Sequence, residues 1–159
     1  MQVNQIIATG LIITNIIFLF SSVAEAQNTK FTVECNAALQ RAKKQIQKNR
    51  KVKVVHTDQE DISQHYKHDK SYPQNRPFSY EFGLRGAATE SILNSDKLLT
   101  IIAKDIIDNC PSISMIKFGE YATDHGGAIG LLRNNKVEPF ECVDPGENIK
   151  LSWGQIVCI

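Results

Sequence analysis

The sequence predicts an α+β domain: two helices packed on a mainly antiparallel sheet, with a C-terminal hairpin meander and disulfide bridges. Three observations predict it. Apolar residues recur at helical spacing in two stretches, 33–49 and 88–109. Short runs elsewhere alternate apolar and polar side chains, as half-buried strands do. The last third separates such runs with turn residues, Asn134-Asn135 and "DPGEN" at 144–148. Hairpin-linked strands make antiparallel ladders, and two helices can cover one face of them.

In the first helix, "VECNAALQRAKKQIQKN", Ala38, Leu39, Ala42 and Ile46 form one face, with Lys and Arg opposite. The basic run at 41–53 reads as its wet side. "KVKVVH" (51–56) has a β-branched centre and predicts a strand. Residues 57–77 lack apolar periodicity and end in "SYPQNRP", which predicts a long polar loop. "FSYEFGLRG" (78–86) alternates Phe78, Tyr80, Phe82 and Leu84 against Ser79, Glu81, Gly83 and Arg85. The second helical stretch breaks near Asn94, where Ser95 can cap "DKLLTIIAKDIIDN". Leu98, Leu99, Ile102, Ile106 and Ile107 are its apolar stripe, and Cys110-Pro111 stops it. "SISMIKFGEY", "GGAIGLL", "KVEPFECV" and "IKLSWGQIVCI" are the remaining strands. Pro139 predicts an edge or a bulge in the third of these. Trp153 shares a strand face with Leu151 and Val157 and reads as core.

The first 26 residues stand apart from the fold. Residues 6–20 are mostly apolar, short for a membrane span, and followed by the small-x-small Ala24-Glu25-Ala26. This predicts a signal peptide (1–26) cut before Gln27, although "MQVN" carries no Lys or Arg. What remains, 27–159, is one domain, secreted or periplasmic, with no membrane span after cleavage. The 159-residue chain has 18 basic and 17 acidic side chains, a formal +1. That balance gives no electrostatic footprint for nucleic acid. Cys35, Cys110, Cys142 and Cys158 all follow the leader, and an even count in an exported chain predicts two disulfides. Antiparallel helices would bring Cys35 to Cys110. That choice leaves Cys142 to Cys158, which a hairpin about Gly146 sets too far apart. All three pairings stay open.

"HTDQEDISQHYKHDK" (56–70) holds three of the four histidines. On a helical turn, Asp61, His65 and His68 would share a face, and His56 could add a fourth donor. Imidazoles with a carboxylate suit a divalent metal such as zinc or iron. H-E-x-x-H is absent, and a solvated loop explains the same residues. "TDHGGAIG" (123–130) does not fit a phosphate loop, and no G-x-S-x-G occurs. Tyr66, Tyr72 and Arg76 cluster late in the polar stretch, residue types favoured at binding hot spots. The leading functional expectation is a non-enzymatic binding or envelope-associated protein, without cofactor, taking a protein or glycan outside the cytoplasm. The alternative is a small metal-dependent or hydrolytic enzyme on His56, Asp61, His65 and His68.

"NCPSISMIKFG" (109–119), "YATDHGGAIGLL" (121–132), "PFECVDPG" (139–146) and "LSWGQIVC" (151–158) carry a resemblance. With "FSYEFGLRGAA" and the helix ending at Cys110, the chain resembles a group of small exported cyanobacterial proteins. The resemblance implies a signal peptide and a cysteine-bearing domain. It implies no activity, and no functional residue follows from it.

Overall fold

A computed structural model describes residues 31–144 and 150–157. The signal-peptide expectation, "DPGEN" after Asp144 and Cys158 lie outside these residues. Helix α1 (Val33–Gln47) begins where Thr32 accepts a hydrogen bond from the Cys35 N–H at 3.2 Å. It buries Cys35, Ala38, Leu39, Ala42 and Ile46, the face its spacing predicts. Strand β1 (Lys53–Asp61) follows, then a single helical turn, α2 (Ser63–Tyr66). Strand β2 (Phe78–Arg85) leads through α3 (Thr89–Leu93) and α4 (Asp96–Asn109) to β3 (Ile113–Glu120). The helical stretch breaks at 94–95 as predicted, although Ser95 makes no side-chain cap bond. Strands β4 (Gly126–Leu131) and β5 (Val137–Pro139) complete a five-stranded sheet ordered β1-β2-β3-β4-β5. The β4–β5 turn has Asn135 at φ 60°, the left-handed position predicted for it. Pro139 lies on the edge strand, where a missing N–H costs no ladder bond.

Two expectations are corrected, the loop after His56 and the length of the C-terminal meander, and the mainly antiparallel sheet contains one parallel ladder. The predicted loop 57–77 begins as strand, because β1 runs on to Asp61. β1 is an edge strand held by its ladder with β2, with Asp58, Glu60 and Asp61 exposed, so its continuation leaves no apolar pattern. The ladder between β2 and β3 is parallel, since α3 and α4 carry the chain back across the sheet. The meander ends at β5. Strands β6 (Glu141–Val143) and β7 (Gln155–Val157) form a separate parallel pair, so "IKLSWGQIVCI" is strand only at 155–157. Gly154 at φ 97° turns the chain just before it.

The sheet is covered on one face and on half of the other. Leu39, Ile46, Leu99, Ile102, Ile106, Phe82, Ile116 and Ile129 join the helices to one face. Phe82 and Phe118 stack there at 5.6 Å. The alternate residues Met115 and Ala128 face the other way and meet Ile62, Tyr66, Tyr72, Phe140 and Trp153. The Cys35–Cys110 disulfide ties the start of α1 to the end of α4. Arg41 and Asp105 add a two-bond ion pair between the same helices. Cys142 is disulfide-bonded as well.

Candidate functional site: a trough across the open half of the sheet

The residues expected to bind or ligate are placed as follows. Tyr66 and Tyr72 are buried, their rings 5.0 and 4.9 Å from Trp153. Burial pushes the Tyr72 hydroxyl up to about 12 and raises that of Tyr66. Arg76 donates from one Nη to the carbonyls of Ile107, Cys110 and Ile113 at 2.8, 3.3 and 3.0 Å. The first two carbonyls lie at the end of α4, where the last turn lacks intrahelical donors, and the third opens β3. Tyr66, Tyr72 and Arg76 thus each hold the fold at these positions.

The metal quartet is not gathered. His56 lies in β1 opposite Gly83, and Asp61 lies at the far end of that strand opposite Phe78. Asp61 is occupied by Ser63, whose hydroxyl and N–H hold its carboxyl below the ordinary range. His65, in α2, points its Nε2 to Glu60 at 3.6 Å, and His68 is exposed beyond that helix. Among the described residues no three His, Cys, Asp or Glu side chains stand close enough to hold a metal ion. The physical reason is the strand: β1 stretches at ~3.3 Å per residue where a helical turn would have brought the groups together.

The second face of the sheet holds a different arrangement. The register places His56 beside Gly83, Gly83 beside Gly119, and Gly119 beside Gly126, one row across four strands. The next row is Asp58, Glu81, Lys117 and Ala128. Covering stops at this point: Phe140 packs over Gly130, and Gly119 and Gly126 are left in the floor of a trough of ≈ 500 Å³. One wall is Tyr121, whose N–H donates to Leu84 at 2.8 Å. Its ring lies 5.7 Å from that of His56, with the Arg85 guanidinium 4.8 Å from its centroid. Gly83 is required beneath this wall, since a Cβ there would come within 2.9 Å of His56 and 3.2 Å of Tyr121. Ala122, next to Tyr121, holds φ 64°, a conformation that costs about 1 kcal/mol outside glycine. The opposite wall is Ile156 and Val157 of β7.

Lys117 closes one end of the trough. Its Nζ meets Glu60 at 2.7 Å, and beyond that pair lies a second hollow of ≈ 510 Å³ beside Met115 and Leu151. None of Gly83, Lys117, Gly119 or Tyr121 is singled out by sequence spacing. The available signal was glycine inside strand patterns, which marks close backbone approach. It was legible at Gly83 and Gly119, but the register that aligns them is not in the local sequence. Comparisons with protein-family models, curated proteins and solved structures return no match for this chain.

Proposed function

We propose that the protein is an exported binding domain that holds its ligand in the trough, without catalysing a reaction. The observation that carries this reading is the row of Gly83, Gly119 and Gly126. Gly119 and Gly126 of that row bare about 500 Å³ of concave sheet face, and Gly83 lets the His56 and Tyr121 wall close down beside them. Sites of this kind combine apolar walls with a few placed polar groups, here His56, Glu81 and Lys117. Export is supported by the apolar run at 6–20, by Ala24-Glu25-Ala26 and by the Cys35–Cys110 bridge, which persists in an oxidising compartment. Among the described residues no helix is long and apolar enough to cross a membrane.

The test is a screen of the purified protein against oligosaccharide and peptide arrays, followed by amide-resolved NMR with each hit. Shifts concentrated at Gly83, Gly119, Tyr121 and Gly126 are expected. Hits that move only residues elsewhere, or no hits at all, would count against the reading. Intact mass of the exported form should begin the chain at Gln27, and a retained leader would remove the cleavage.

A further inference from the structure

The trough does not stop at the sheet's second face. It continues round the outer edge of β4 into a smaller cavity of ≈ 250 Å³ on the helix side, reaching Leu93, Asp96 and Leu99. Gly126, Gly127, Ala128 and Val157 line both parts. Among the described residues the edge between them is open at Gly126. Glu120 N–H donates to the His125 carbonyl at 2.8 Å, so bonded pairs with β3 fall at His125 and, two residues on, at Gly127. Gly126 and Ala128 therefore turn their main-chain groups the other way, toward β5. Phe140 N–H satisfies the Ala128 carbonyl at 2.8 Å. The chain then leaves, because Glu141 N–H donates to Gly154 at 2.7 Å instead. Among the described residues nothing pairs with the outward N–H and C=O of Gly126.

The charged side chains along this cleft that make no ion pair among the described residues are carboxylates. Asp96 and Asp124 line the smaller cavity, and Glu81, Glu120 and Asp124 line the trough. None of these carboxylates is in an ion pair among the described residues, whereas the one lysine in the lining, Lys117, is already bonded to Glu60.

The geometry points to an extended, cationic polypeptide segment as the ligand, added to β4 at Gly126 as a short strand in line with β5. This rests on the binding reading and names its ligand class. A strand added to an open edge gains affinity from main-chain bonds and specificity from alternate side chains. Here Gly126 supplies the main-chain pair. Exposed Gly126 and Gly127 let a second backbone approach, and the carboxylates receive the Lys or Arg side chains.

The test uses three capped hexapeptides: alternating lysine–valine, alternating glutamate–valine, and lysine–valine methylated on alternate backbone nitrogens. Amide-resolved NMR of the purified protein reads the site. The lysine peptide is expected to shift Gly126 and Ala128, and the other two to bind much more weakly. Asp96→Asn with Asp124→Asn should weaken the lysine peptide about fivefold, with the loss shrinking at high salt. Equal binding of the charge-reversed or methylated peptide would overturn the inference. So would shifts at Gly126 that grow with protein concentration alone, which would make the occupant a second copy. If oligosaccharides occupy the trough and no peptide touches Gly126, the ligand class is wrong and the binding reading stands. If no probe perturbs the glycine row, both fall.

Discussion

Arg76 shows how a side chain that resembles a ligand contact can be spent on the fold. Its guanidinium gathers two carbonyls at the end of α4 and one at the start of β3, and hydrogen bonds to a charged donor are the stronger kind. Arg76→Ala should lower stability by about 2–3 kcal/mol in urea denaturation. Arg76→Lys should recover only part of that, since the shorter lysine side chain does not carry its ammonium to the position of that Nη. Asp69 plays a similar part across the second face. Its carboxylate accepts from the Ser71 hydroxyl and N–H and from the Trp153 N–H, and these bonds hold its pKa below 3.8. The stability it contributes is thus present above its unfolded pKa and is lost as pH falls through the lower folded one. Urea midpoints followed downward from pH 5 should drop in the acid limb, and Asp69→Asn should flatten that drop. Nothing in the sequence separates these roles from a surface role. Tyr66, Tyr72 and Arg76 have hot-spot chemistry, but whether Trp153 packs against the tyrosines depends on chain 84 residues away from Asp69.

At the scale of elements, sequence pattern is informative where one face is buried and silent where none is. The faces of α1 and α4, the break at 94–95 and strand β2 follow their spacing because each presents a contiguous apolar surface to the core. β1 beyond His56 does not, because main-chain bonds to β2 hold it while its carboxylates stay in water. β6 and β7 fall inside the predicted strands "KVEPFECV" and "IKLSWGQIVCI", but their short extent and parallel pairing do not show in the pattern. Three-residue strands carry too little periodicity to be told from turns. The bridge between α1 and α4 spans 75 residues, and replacing Cys35 and Cys110 together by Ser should cost about 4 kcal/mol, read from urea midpoints. On the other face, a Cβ at Gly130 would come within 2.4 Å of the Phe140 ring. Gly130→Val should displace that ring from Trp153, lower stability by about 2 kcal/mol and shift the Trp153 emission.

For the whole molecule, the useful distinction is between the two faces of one sheet. The helix face is closed by a continuous core. The second face is closed by Tyr66, Tyr72, Phe140 and Trp153 over one half only. The open half coincides with the glycine row, and that coincidence is a property of register. Gly83, Gly119 and Gly126 sit in three separate segments, and only the parallel β2–β3 ladder and the antiparallel β3–β4 ladder align them. The class of fold was therefore readable from pattern, while the site was not. Gly119 offers the most direct test of the claim that this row is where ligand binds. A Cβ there meets a single atom, the His125 carbonyl oxygen at 3.4 Å, so Gly119→Leu fills the floor with a side chain suited to a strand. The decisive measurement is the dissociation constant of an array-selected ligand for wild type and Gly119→Leu side by side, with the urea midpoint as control of the fold. The expected result is an unchanged or raised midpoint with binding weakened at least about tenfold, equivalent to ~1.4 kcal/mol. Equal affinity in a well-folded Gly119→Leu would contradict the account.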